Sequence, residues 1–265
     1  MATTRLQIIG GGKMGGALLA GLLRQGWATP DEVRVVERLP ARVDELRAEH
    51  PGVAVTEEPG AAEGHVVAVK PDDVEDACRA LVAAGPPGRV LSIAAGVTLA
   101  RLQAVLGPEV AVVRAMPNTP ALVGAGVAAV APGVAAGEAD LAWAEEVLGA
   151  VGTVVRVAEP QLDAVTGLSG SGPAYVFLVA EALVEAGVLA GLPRPVSETL
   201  VTKTLLGAAR LLDESPEGPA ALRAAVTSPG GTTAAGLWAL ESAAVRAAFL
   251  DAVVAATERS RALGA

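Results

Sequence analysis

Along the first half of the chain, short apolar runs alternate with longer segments of helical character. Arg5–Gly10, Val33–Val36, Val53–Val55, Val66–Val69, Val90–Ile93 and Val110–Arg114 are short apolar, mostly β-branched runs, the length and composition of buried strands. Met14–Gln25, Ala41–Glu49, Asp73–Ala84 and Leu99–Leu106 read as helices between them. Val127–Ala131 and Val154–Val157 follow as late strands around a helix at Glu138–Leu148. Strands alternating with helices predict a doubly wound, mostly parallel sheet of the Rossmann-like α/β class. Beyond Glu159 the strand signal stops. Leu162–Ala190, Val196–Leu212, Pro219–Val226, Thr233–Ser242 and Ala244–Leu263 all read as helix. The pattern therefore predicts two domains, an α/β one over residues 1–158 and an all-helical one over 159–265.

Composition supports a folded chain. Of 265 residues, 52% are hydrophobic and 18% charged, which permits a sizeable core and argues against disorder. Aromatics are 2%, so Ala, Val and Leu must fill the interior, and Ala-rich helix faces invite a second subunit to cover them. A net charge of −9 argues against nucleic acid or an anionic membrane as partner. Ala115–Gly137 and Ala164–Ala180 are long uncharged stretches; prolines and glycines interrupt the first, Thr, Ser and Gly the second, so neither reads as a membrane span. Met1 to Arg5 leads into a strand with no basic or long apolar leader, so no signal peptide is expected. Cys78 is alone, which leaves no intrachain disulfide or cysteine-based metal site and fits a cytoplasmic location. No metal site is expected.

Two glycine-rich elements carry the chemistry. Gly10, Gly12 and Gly15 match G-x-G-x-x-G between a strand and a helix, the pattern that lets a pyrophosphate approach the backbone. The second strand ends at Glu37-Arg38, which offers an acid for a ribose 2′-OH and a cation for a 2′-phosphate, or simply an ion pair. Lys70, in Val69-Lys70-Pro71 after the fourth strand, is placed to reach a nicotinamide ribose or to stand as a solvated cation. Ala95 and Gly96, after the next strand, leave room for a flat ring. Asn118, between Pro117 and Pro120, would hold a carboxamide or fix its own turn. The second element, Thr227-Ser228-Pro229-Gly230-Gly231-Thr232-Thr233, opens a helix with hydroxyls and a tight turn, a nest of amides suited to a carboxylate. Neither His50 nor His65 lies in a motif, and Tyr175 sits in an apolar helix. Reduction of a ketone needs a general acid that these residues do not supply, whereas an iminium arrives protonated.

The motifs Gly10–Gly15, Ala68–Pro71, Ala94–Thr98, Met116–Pro120, Asp163–Tyr175 and Ser228–Thr233 occur in an order that resembles the pyrroline-5-carboxylate reductase family, over residues 5–262. The resemblance implies reduction of L-1-pyrroline-5-carboxylate to L-proline with NADPH or NADH. It also implies a helical domain that interlocks two subunits into a dimer, in members of the family often within a decamer, a ring of five dimers. Carried across, Ile9, Gly10, Gly11, Gly12, Lys13, Met14, Ala68, Val69, Lys70, Pro71 and Ala95 would contact the cofactor, with Arg38 suited to NADPH. Ser228, Thr232 and Thr233 would hold the substrate carboxylate, with Thr233 also near the ring nitrogen, and Glu159 would contribute to the proline site. Two departures are visible: Glu37-Arg38 replaces the family's Asn-Arg, and Glu58-Pro59 replaces an Asn after the third strand. The alternatives are another imine reductase, a 3-hydroxyacid dehydrogenase or a non-catalytic dinucleotide sensor. Leu162–Ala190 lacks the lysine the second of these would place there, and a sensor would not need the Ser228–Thr233 nest.

Overall fold

A computed structural model of the chain describes residues 4–264. The leader-free stretch expected at Met1 through Thr3 lies outside the described residues. Two compact units result: residues up to Ser171 together with those from Val254 on, and Gly172–Val253.

The first unit is built on an eight-stranded sheet of order β3-β2-β1-β4-β5-β6-β7-β8. Its strands are β1 Leu6–Ile9, β2 Val33–Val36, β3 Ala54–Thr56, β4 Gly64–Val67, β5 Arg89–Ser92, β6 Ala111–Met116, β7 Gly126–Pro132 and β8 Gly152–Arg156. All neighbours pair in parallel except β6 and β7, where Val113 faces Pro132 and Met116 faces Ala129. The exception has a simple cause. A parallel return needs a crossover of about a dozen residues or more. The connection from Met116 to Gly126 holds only a short 3-10 turn, Thr119–Val123. Strand order reverses between β1 and β4, and such a switch point opens a crevice at the strand C-termini.

Both sheet faces are buried, so adjacent residues of a strand enter different cores. Ile8, Val66, Leu91 and Val113 pack with Leu18, Leu22, Trp143 and Leu148 of α1 (Lys13–Arg24) and α5 (Glu138–Gly149). Ile9, Val67, Val90 and Val112 pack instead with Val74, Cys78, Leu81 and Leu102 of α3 (Val74–Ala84) and α4 (Leu99–Leu106). α2 (Pro40–Glu49) sends Leu46 into the first of these cores.

The long helix expected over Leu162–Ala190 is interrupted. α6 (Leu162–Val165) widens into a π turn at Thr166–Gly170 before α7 (Gly172–Leu189). Ser171 N–H reaches back five residues to Thr166 O at 2.8 Å. The hydroxyls explain the change. Thr166 Oγ1 donates to Leu162 O at 2.8 Å and Ser169 Oγ to Val165 O at 3.1 Å, competing with the regular ladder. The segment Glu159–Leu189, which contains Ala164–Ala180, is long and apolar enough to cross a membrane by length and composition alone.

The second unit holds α7, α8 (Arg194–Glu214), α9 (Pro219–Ala225), α10 (Thr232–Ser242) and the first part of α11 (Val245–Gly264). α7 and α8 pack as a pair, with Ser197 Oγ donating to Val184 O at 2.9 Å. Large apolar side chains remain uncovered there, among them Phe177, Leu178, Trp238 and Leu250.

Candidate active site

The turn from β1 into α1 requires its glycines. Gly10 has φ +101°, and a Cβ there would lie 2.8 Å from Ala68 O of the strand-end beside it. A Cβ on Gly15 would overlap Gly10 O, so this glycine lets α1 sit against the end of β1. Gly12 is different: it is exposed and a Cβ there would meet nothing. The open side of Gly12, Lys13 and Gly16 borders a cavity of about 630 Å³ that continues to Glu37, Leu39 and Arg42. The first amides of α1 have no partner within the helix, and the helix dipole is positive there. A loop with this open face fits a dinucleotide pyrophosphate.

Glu37 closes the end of β2 onto the same loop. Its Oε2 accepts from Gly11 N–H at 3.0 Å, and its Oε1 accepts from the N–H groups of Arg38 at 2.8 Å and Leu39 at 3.0 Å. The Arg38 guanidinium turns away from this carboxylate to Glu58 at 3.4 Å and to Glu57 O at 3.4 Å. Arg42 lies across the loop, donating to Gly11 O at 2.7 Å, to Glu45 at 2.8 Å and to Glu49 at 3.5 Å. Nothing in the spacing of charges along the chain pointed to this carboxylate–amide clasp, because it depends on the loop folding back over β2.

The other cofactor candidates line the same sheet edge. Ala68 N–H donates to Ile9 O at 2.8 Å, which ties the two strand ends together. Val69 packs against the second core and Met14 against the first. Lys70 is exposed and precedes the 3-10 turn Pro71–Asp73. Ala95 is half-buried. Beside it, Gly96 faces Leu263 near the chain's end, with a Cβ on Gly96 reaching 3.3 Å from Leu263 Cβ. The close approach at Gly96 is thus that of α11. Asn118 is buried; its Oδ1 accepts from Val127 N–H at 2.9 Å and its Nδ2 donates to Ser169 O at 3.1 Å. These bonds fix the turn between β6 and β7 and anchor the π turn.

Glu159 opens the segment leading to α6. Its Oε1 accepts from Leu99 N–H at 2.7 Å, capping α4, and from Arg114 Nη1 at 3.0 Å. Arg114 is 5% exposed, so Glu159 is the counter-charge of a buried cation. Sequence reasoning passed over Arg114, although a charged residue inside the apolar run of β6 was a visible signal. Further along, Asp163 Oδ1 accepts from Ser260 Oγ at 2.7 Å, joining α11 to α6.

Of the two histidines, His50 lines the cavity beside Gly12 and Arg42, while His65 stands apart from it. His65 is buried in β4, and burial holds its ring at a pKa of about 4. Its Nδ1 lies 3.2 Å from Gln7 Nε2, and Gln7 Oε1 accepts from Gly60 N–H at 2.9 Å. His50 ends α2 as its C-cap. Among the described residues no three His, Cys, Asp or Glu side chains gather as a metal site would require.

In the helical unit, Ser228–Gly231 forms a tight turn with Pro229 at its second position and Gly230 at its third, φ +69°. Proline followed by a positive-φ glycine is the chemistry of a type II turn. Gly231 N–H donates to Ser228 O at 3.1 Å, and Gly231 caps α10 in an extended conformation. A Cβ on Gly231 would collide with Ser228 Oγ, so the serine hydroxyl lies over the turn. Ser228, Thr232 and Thr233 are all exposed. One short segment thus presents three hydroxyls around the first amides of a helix, the donor set a carboxylate needs.

Known proteins resemble this chain along its length. Residues 159–263 match the family model for pyrroline-5-carboxylate reductase dimerisation, and residues 5–96 match one described as NADP oxidoreductase, coenzyme F420-dependent. The chain is 46% identical to pyrroline-5-carboxylate reductase from Synechocystis over 264 residues, covering 98% of both chains. It is 46% identical to that of Mycobacterium tuberculosis over 286 residues, covering 98% of this chain and 96% of the other. A solved pyrroline-5-carboxylate reductase from Coxiella burnetii superposes with a TM-score of 0.93 at 36% identity, covering 100% of both chains. One from Plasmodium falciparum, solved with NADP bound, does so at 0.87 and 29% identity, again over 100% of both. With likeness of this degree sustained through both units, the chain belongs to the pyrroline-5-carboxylate reductase family.

Proposed function

We propose that the chain reduces the ring imine of L-1-pyrroline-5-carboxylate to give L-proline, with NADH or NADPH as reductant, the last step of proline biosynthesis. The observation that carries this reading is the 46% identity to the Synechocystis reductase over 98% of both chains. A dinucleotide held at the Gly10–Gly15 loop supplies the hydride. The chain's own residues bind and orient. Ile9–Met14, Ala68–Pro71 and Ala95 form the edge that receives the coenzyme. Ser228, Gly230, Gly231, Thr232 and Thr233 offer hydroxyls and helix N-terminal amides to the substrate carboxylate. The Thr233 hydroxyl holds the ring nitrogen. Because a protonated imine already carries its proton, the carbon accepts hydride without a general acid, which suits a chain whose His65 is buried and neutral. Glu159 serves the site by holding Arg114 and the start of α4.

On this reading residues 1–158 bind the dinucleotide, while 159–265 carry the substrate turn and dimerise, and dimers assemble further into a decamer. The match of residues 159–263 to a dimerisation model supports self-association. The single, buried Cys78, whose thiol burial pushes up to about 11, supports a reducing, cytoplasmic setting.

The test is a spectrophotometric assay of NADH and NADPH oxidation with pyrroline-5-carboxylate, set against the six-membered cyclic imine and a 2-keto acid. Oxidation should depend on the five-membered imine. Thr233→Ala should lower kcat by about 10- to 100-fold in a protein of unchanged helicity. Unchanged kinetics would remove Thr233 from the reaction, and no imine-dependent oxidation would reject the function.

A further inference from the structure

We propose that Glu37 makes this chain select NADH over NADPH. The inference rests on the dinucleotide reading of the Gly10–Gly15 loop and deepens it. In a βαβ unit of this kind the adenosine ribose lies just beyond the second strand, beside the acid that ends it. That acid here is Glu37, whose carboxylate borders the cavity beside Gly12 and Lys13.

Three features make Glu37 a discriminator. First, its charge is fixed in place. Both oxygens are held by backbone amides, one on Gly11 and the other on Arg38 and Leu39, so the carboxylate has little freedom to swing aside. Second, a carboxylate accepts hydrogen bonds and donates none, so it pairs with a ribose hydroxyl and repels a phosphate. A 2′-phosphate would bring about −1.5 to −2 charges against it. Third, the guanidinium groups nearby are already engaged. Arg38 faces Glu58, and Arg42 faces Glu45 and Glu49. Each arginine thus spends part of its positive charge on carboxylates of this chain, which weakens the pull it exerts on a 2′-phosphate. The pyrophosphate cradle therefore fits a dinucleotide, while the ribose end fits its neutral 2′-hydroxyl.

Isothermal titration of the full chain with NADH and with NADPH, without substrate, tests the inference. The wild-type Kd for NADH should be lower than that for NADPH by about tenfold or more. Rising ionic strength should narrow this gap, because part of it is charge repulsion. Glu37→Asn and Glu37→Gln should each cut the NADPH-to-NADH Kd ratio by about tenfold, chiefly by tightening NADPH. Circular dichroism melts confirm that the variants are folded; if both variants fail to fold, the wild-type ratio and its salt response still decide the matter. Wild-type affinity for NADPH equal to or tighter than for NADH overturns the proposal, as does a ratio indifferent to both variants. If neither coenzyme binds, the dinucleotide reading falls and the selectivity with it. If NADH binds as expected but pyrroline-5-carboxylate is not reduced, the selectivity stands and the proposed reaction fails.

Discussion

His65 shows how a single residue's setting decides its chemistry. Gln7 is oriented by Gly60, so its Nε2 donates to His65 Nδ1, which requires a neutral ring with its proton on Nε2. Protonating Nδ1 would set donor against donor inside the sheet. The folded pKa of about 4 lies below the ordinary value of 6.5, so the unfolded chain binds the extra proton first as pH falls. Stability from the neutral ring is therefore fully present above about pH 6.5 and is lost progressively as pH falls toward about 4. Urea unfolding should show a loss of about 2 kcal/mol between pH 7 and pH 5. His65→Gln should flatten that part of the profile; an unchanged slope would assign it to other groups. At this scale the sequence was half legible. The glycines of both turns, Ser228 and Thr233 could be picked out from local pattern. The clasp of Glu37 on Gly11 and the pairing of Glu159 with Arg114 could not, because their partners are 26 and 45 residues away.

Elements were more legible than residues where periodicity was clean. β2 at Val33–Val36 and α4 at Leu99–Leu106 have the limits that their apolar patterns predict. Two features escaped. The antiparallel entry of β7 follows from the shortness of its connection, and the π turn follows from Thr166 and Ser169 bonding their own backbone. The fit of α1 against β1 turns on the absence of one methyl group. Gly15→Ala places a Cβ onto Gly10 O, which must push the helix away from the strand end. We expect a loss of about 1–3 kcal/mol in urea unfolding together with weakened coenzyme binding by titration. Retention of both would show that α1 can shift without disturbing the loop.

For the whole molecule, the uncovered apolar surface is the central fact. Phe177 is 62% exposed and Trp238 73% exposed, although both lie in well-formed helices. Apolar side chains in such number mark a surface that another subunit covers. The same helices explain why Glu159–Leu189 passes for a membrane span by composition: helices apolar on several faces suit protein contact as well as lipid. Sedimentation should find the wild type as a dimer or larger, and Phe177→Glu should shift it toward monomer. A variant sedimenting like the wild type would place the interface on another face. What the sequence by itself determined was the alternation of strand and helix, the two glycine-rich turns and the family, because each is written in neighbouring residues. Tertiary folding alone set which partners the charged groups take, as with Glu37 on Gly11 and Arg114 on Glu159, and which side chain covers Gly96, namely Leu263. A carboxylate's partner depends on which distant group reaches it, and that is a property of the folded sheet and its loops, absent from any local stretch of chain.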